Sequence, residues 1–330
     1  MKKIFAIIAS ILIASTLFLG CVGQGTNDDK KITELRIGYQ PSTHQIAEMV
    51  AMEKGWWQND LKKYGIEKVT DYEFPSGPPE MQAMLGGQID IAYVGATPPI
   101  PAIDQGLDAK IVAAAQTQGS DIVVWPESNY AGPSFLIGKK IGTFPPGSIQ
   151  DMVLKKWLQD NGVDISKVDI KAMGPGDASI ALTAKQVDAV FLPHPSPAVL
   201  EIEGNGKSVV KSGEMWPGHA CCVLLVSGKL IRENPELVKE IINIHIKATE
   251  YIAENPEESA EIASRKLGLS KETILYSIEN SDTTYSHNPN DIMVYMEAYA
   301  KEHYGLGYTK KLLTVKDLID TKLYDEVTKK

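Results

Sequence analysis

The sequence predicts an α/β protein of two lobes, each a mostly parallel sheet flanked by helices, with a helical C-terminal tail. Three observations carry this. Short apolar runs alternate with helix-length stretches from Glu34 to Ser227. A helix–strand–turn unit, SGPPEMQAMLGGQIDIAYVGATPP at Ser76–Pro99, has a weaker copy, SIALTAKQVDAVFLPHPSP, at Ser179–Pro197. With one fixed offset, Gln88-Ile89-Asp90 falls on Gln186-Val187-Asp188, Ala83 on Ala181, Tyr93 on Phe191 and Pro99 on Pro197. Two further apolar runs, Asp121–Trp125 and Cys221–Ser227, separate these cycles and read as crossings between the lobes.

Composition sets the bounds. The 330 residues correspond to about two domains at roughly 150 residues each. Hydrophobic residues at 43% and charged residues at 23% are ordinary for a globular chain,. Nothing in the balance suggests a basic nucleic-acid binder.

Met1–Gly20 reads as a secretory signal: Lys2 and Lys3 precede an apolar run that ends at Leu17-Phe18-Leu19-Gly20-Cys21,. That ending is similar to a lipobox, with Phe18 where leucine is usual. Cys21 is then a lipidated N-terminus, and residues 21–32 a polar tether. The body is expected outside the membrane, on the periplasmic or cell-exterior face. Cleavage removes two lysines and no acids, so the formal charge goes from −9 to −11. Such a bulk field repels anions, and an anionic ligand needs local dipoles.

Taken in order, Glu34–Tyr39 is a first strand, Gln40–His44 a turn, and Gln45–Trp57 a helix with Ile46, Met49, Val50 and the Trp56-Trp57 pair inward. Tyr72–Phe74 is a second strand. Pro78 and Pro79 open a helix, where no N–H donor is needed, and Gly86-Gly87 closes it. Gln88–Val94 is a buried strand, Thr97 an N-cap, Pro98 the first residue of a short helix, and Ala109–Gln116 a fourth strand. After the crossing at Asp121–Trp125 the cycle restarts. Lys140–Thr143 echoes Arg36–Tyr39, and Ser148–Asn161 is a helix closed by Gly162. Val168–Met173 is a strand, the repeated unit follows, and Ser208–Val210 is a short strand. Beyond Cys221–Ser227 the chain is helical, with starts at Asn234-Pro235 and Asn255-Pro256,. The lobes are therefore assigned as 33–122 with 228–330, and 123–227. A ligand cleft is expected between strand ends.

These features resemble a known family. A lipobox, I-G-Y-Q after the first strand, G-G-Q-I-D-I-A-Y-V-G-A, K-K-I-G with P-P-G-S opening a helix, K-Q-V-D-A-V, and E-N-P-E-L-V-K occur in this order. The chain is similar to the substrate-binding lipoproteins of ABC importers for nitrate, sulfonate, taurine and thiamine-pyrimidine compounds, from Glu34 to about Leu267. The resemblance implies a type II periplasmic-binding fold, closure of two lobes on a solute, and delivery to a membrane permease and its ATPase by a monomer. It implies no enzyme activity and no cofactor.

Four turns would line the cleft: Gln40–Gln45, Gly95–Pro99, Pro145–Gln150 and Pro193–Pro197. None contains Lys or Arg, and each leads into a predicted helix whose free N–H groups suit a small oxyanion. The expected ligand contacts are Gln40, Ser42, Thr43, His44, Gly95, Ala96, Thr97, Gly147 and Ser148, with Gln116 and Thr117 added by the resemblance. His194 and His219 join His44 as turn histidines able to pair with or donate to an anion. His194 leads this group because the family places a polar or aromatic contact after that strand. Tyr39, Tyr93, Trp125 and Trp216 are candidate walls.

The run His219-Ala220-Cys221-Cys222 reads three ways: a soft-metal site, a reactive thiol pair, or a buried strand start whose cysteines act as small hydrophobes. The last is adopted, and no metal is expected. The expected solute is a sulfonate such as taurine or an alkanesulfonate. Nitrate, bicarbonate and a thiamine-precursor pyrimidine are the alternatives, as is a pyrimidine-synthase-like enzyme using His219, Cys221 and Cys222. Other enzyme signatures fail: Gly206-Lys207-Ser208 ends like a P-loop, but Glu201 stands where its first glycine belongs,.

Overall fold

The computed structural model describes residues 32–329. The expected signal peptide, the lipidation site at Cys21 and all but the last residue of the tether lie outside the described residues.

The chain runs through β1 (Glu34–Tyr39), β2 (Lys68–Glu73), β3 (Ile91–Gly95) and β4 (Ala109–Thr117). It continues through β5 (Ser120–Val124), β6 (Lys140–Thr143), β7 (Asp169–Ala172), β8 (Ala189–Pro193) and β9 (Lys207–Lys211). β10 (Ala220–Ser227) and β11 (Thr284–Tyr285) complete the set. The first sheet has the order β11-β4-β10-β3-β1-β2, and the second β7-β6-β8-β5-β9.

Both sheets are mixed: in each, the strand that crosses runs antiparallel to its two neighbours, and in the first β11 is also antiparallel to β4. β1 pairs parallel with β2 and β3, whereas β10 runs antiparallel between β3 and β4. β6 pairs parallel with β7 and β8, whereas β5 runs antiparallel between β8 and β9. β5 arrives directly from the first sheet and β10 from the second. Their apolar runs, DIVV and CCVLLV, are buried throughout, as central strands require,. The repeated unit of the sequence occupies equivalent places: the helix Gly77–Leu85 feeds β3, and the helix Pro175–Thr183 feeds β8.

Local differences have local causes. The expected helix over residues 45–57 is cut by Gly55 at φ 67°, leaving a 3₁₀ turn at Thr43–Gln45 and helices Ile46–Glu53 and Trp56–Asp60. β2 starts at Lys68, before the expected Tyr72, because this edge strand is mostly polar and shows no apolar run. The short helix after β3 is Pro99–Asp104 with Pro98 at its cap, so Thr97 lies outside it.

The helix Pro235–Glu254 buries Leu237, Ile241, Ile244, Ala248 and Ile252, one face at helical spacing, and packs on Ile46–Glu53,. The tail is not confined to the first lobe. The helix Lys271–Asn280 packs on Ser196–Ile202, and Met293–Gly305 packs on Ile149–Asp160, both in the second.

The candidate ligand cleft

The carboxyl ends of the parallel strands face one another across a narrow, partly open cavity of about 20 Å³. The first lobe contributes Gln40, Pro41, Ser42 and His44 from the turn after β1, with Pro75, Gly95 and Cys222. The second contributes Phe144, Ile149 and Gln150, Pro175, Pro193 and Ser196. All four turns expected at the cleft supply wall residues, and none of the lining residues is Lys, Arg, Asp or Glu.

Of the expected contacts, Gln40, Ser42, His44 and Gly95 line the cavity. Others hold the frame. Thr97 Oγ1 donates to the Gly147 carbonyl at 3.1 Å, a bond between lobes. Thr43 N–H donates to the His194 carbonyl at 3.1 Å, a second one. Ser148 Oγ accepts from Asp151 N–H at 3.2 Å as the N-cap of Ile149–Asp160,. Ala96 N–H donates to the Cys221 carbonyl, and Thr117 Oγ1 to the Thr284 carbonyl at 3.5 Å.

The histidines sort differently from expectation. His194 is buried behind Pro193 and Ser196, with Nδ1 3.1 Å from Ser277 Oγ and Nε2 3.3 Å from Asp121 Oδ2. His219 is also off the cavity: its Nδ1 donates to the Trp216 carbonyl at 2.8 Å, and burial pushes its pKa down to about 4. The grouping of His219 with Cys221 and Cys222 is therefore not formed. His44, far off in sequence, takes that place: its Nδ1 lies 3.4 Å from Cys221 Sγ and 4.0 Å from Cys222 Sγ. The other ring nitrogen, Nε2, donates to the Gly119 carbonyl at 2.6 Å, which leaves Nδ1 as the lone-pair atom,.

Electrostatics inside the cleft follow from burial. Glu80 is fully buried and held protonated far above its usual range by desolvation; its Oε2 accepts from Gln40 Nε2 at 2.7 Å. Cys221 is pushed up by burial, whereas Cys222 is pulled down, chiefly by its hydrogen bond with Cys221 and then by His44. Gln45 Nε2, Glu80 Oε1 and Gln116 Oε1 are buried without a partner.

The helices behind the four turns differ in length: Pro99–Asp104 has six residues, Ser196–Ile202 seven, and Thr43–Gln45 is a 3₁₀ turn running into the eight-residue Ile46–Glu53, whereas Ile149–Asp160 has twelve and the longest row of aligned peptides,. Prolines at 98, 99, 195 and 197 remove N–H donors as well,. None of the four candidate aromatic walls reaches the cavity. Tyr93 donates to His245 Nδ1 at 3.0 Å within the core, Tyr39 bonds Glu73, Trp125 bonds the Leu182 carbonyl, and Trp216 packs edge-on against Tyr299. Phe144 is the aromatic that does line it, and no spacing signal marked that residue.

The crossings meet beside the cleft. Gln118 and Gly119 both have positive φ, 60° and 83°. Asp282, from the tail, accepts from Gly119 N–H at 2.7 Å and from Gly213 N–H at 2.6 Å, tying both crossings to one carboxylate. A Cβ on Gly119 would stand 2.7 Å from His44 Nε2 and 2.1 Å from Thr283 Oγ1, so this position admits glycine alone,.

Two sheets that share one five-strand order, with β11 added to the first, a cavity at their strand ends and two crossings define a bilobal fold with a cleft between its lobes. The chain belongs to the NMT1-like family, whose model matches residues 28–267. A Bacillus subtilis relative named as an aliphatic sulfonates-binding protein is 28% identical over 97% of this chain and 95% of its own. The crystal structure of the periplasmic aliphatic sulphonate-binding protein from Escherichia coli superposes with a TM-score of 0.75 at 22% identity, covering 89% of this chain and 99% of that one. The periplasmic nitrate-binding protein from Synechocystis gives 0.75 at 19% identity, covering 90% and 88%. These relatives are binding proteins rather than enzymes.

Proposed function

We propose that this chain is the solute-capturing component of an ABC importer and that it closes its two lobes on a small oxyanion, a sulfonate of the taurine or alkanesulfonate type. The observation that carries this reading is the convergence of four strand-end turns, two from each lobe, on one cavity lined by amides, hydroxyls and prolines. Such a wall recognises an anion head through hydrogen bonds rather than through ion pairs. The names of the relatives point to the same ligand class. In this reading the lobe around the first sheet, with β10, and the lobe around the second sheet, with β5, move about the paired crossings, and Cys21 carries the lipid that holds the protein beside its permease outside the cell membrane.

Titration of the purified chain with taurine, an alkanesulfonate, nitrate, bicarbonate and a thiamine-precursor pyrimidine tests it. A sulfonate at about 100 times its Kd adds roughly 2.7 kcal/mol of stability, a rise of several degrees in Tm. A larger rise with nitrate, bicarbonate or the pyrimidine reassigns the solute, and no rise with any of them ends the proposal.

A further inference from the structure

We propose that His44, Cys221 and Cys222 form a three-donor site for a thiophilic divalent metal ion of the zinc class, its fourth coordination position open to the cleft. This inference does not rest on the oxyanion reading.

Successive residues of a strand point to opposite faces, so two adjacent cysteines do not ordinarily share a partner. Here the β10–β4 pairing breaks register between Ala220 and Cys222 and again between Cys222 and Val223. That irregularity turns both sulfurs towards one imidazole, 4.0 Å from each other, in the way bulges re-aim side chains at functional sites. The three donor atoms lie within 4.8 Å of one another.

The triangle has the size a metal needs. Sulfurs at about 2.3 Å and a nitrogen at about 2.0 Å from an ion, at tetrahedral angles, stand about 3.8 Å and 3.5 Å apart. The observed edges are 4.0 Å between sulfurs and 3.4 and 4.0 Å from nitrogen to sulfur. The imidazole is already in the required tautomer, because Nε2–H donates to the Gly119 carbonyl; metal-binding histidines are commonly oriented by such an outer bond,.

Charge favours a divalent ion. No cation lines the cavity, and two thiolates with one imidazole neutralise a charge of two. Binding releases both thiol protons. Cys222 and His44 face the cavity while Cys221 lies behind them, so a three-ligand complex keeps one position for an oxygen or sulfur donor of the solute, the arrangement of open zinc sites.

Cobalt(II) reports the site directly. The reduced full chain carrying Cys21→Ser, which removes the third thiol, is titrated with Co²⁺ and then with Zn²⁺. One equivalent of cobalt with a thiolate charge-transfer band, displaced by zinc, is the expected result, and it needs no cleft variant to fold. Cys221→Ser, Cys222→Ser and His44→Gln should each weaken zinc binding roughly 100-fold or more, while His219→Gln leaves it unchanged. Absence of the band in the Cys21→Ser chain, or zinc affinity retained in the Cys221→Ser, Cys222→Ser double variant, overturns the site. A chain that binds zinc but responds to none of the solutes titrated keeps this site and ends the functional proposal; the converse ends this one.

Discussion

Glu48 sits on the helix Ile46–Glu53 with no exposed surface and with neither carboxylate oxygen partnered. Burial is the main cause that raises its pKa from 4.5 to about 8,. The folded state therefore holds a proton that the unfolded state has lost between those values, so stability falls as pH rises through that window. At about 1.4 kcal/mol per unit the accumulated cost is of order 5 kcal/mol. Glu48→Gln should remove that slope: its stability relative to wild type, from urea unfolding, should grow between pH 5 and pH 8. A difference that is flat with pH would show that Glu48 does not carry the proton. Thr97 offers a second single-residue test. Thr97→Val keeps the shape and deletes the donor to Gly147, at a cost of about 1 kcal/mol of closure, so solute affinity should drop several-fold with little change in the ligand-free Tm; unchanged affinity would remove this bond from the closing mechanism. At this scale the sequence was legible in part. Gln40, Ser42, His44 and Gly95 were marked by position, each at or just past a strand end. The pairing of His44 with Cys221 and Cys222 was not, since it joins positions 177 and 178 residues apart through an irregular strand pairing, and no local spacing encodes that.

Among the elements, most helices and strands could be read, because burial on one face or both writes itself into apolar periodicity. Strand direction could not: an apolar run says that a strand is central, not which neighbours flank it, and so β5 and β10 turned mostly parallel sheets into mixed ones. β11, two residues long, has no pattern to read. The four cleft turns were found but their helices were overvalued, because proline marks a helix start without giving its length. The crossings owe their geometry to Asp282, whose carboxylate holds the backbone of both. Charge-assisted bonds of this kind are worth about 1.5–3 kcal/mol each. Asp282→Ala should thus cost roughly 3 kcal/mol or more in urea unfolding, and a loss below about 1 kcal/mol would mean that the crossings are held by their own strands.

Across the whole molecule, the tail helices Lys271–Asn280 and Met293–Gly305 reach the second lobe, so closure must carry or slide those contacts as well as the cleft bonds. Small-angle scattering with and without saturating solute should show a smaller radius of gyration in the bound state; superimposable profiles would rule out lobe closure. The position of β10 has a different outcome, concerning the order in which the chain organises itself. The second sheet is built from one uninterrupted stretch, β5 to β9, whereas the first cannot join β3 to β4 until β10, more than a hundred residues later, slots between them. Contacts so far apart in sequence form late. During refolding, pulsed hydrogen exchange of the full chain should find β5–β9 amides protected before those of β1–β4. The segment from β1 to β4, although it precedes β5 to β9 in the chain and leaves the ribosome first, would be the last to become native.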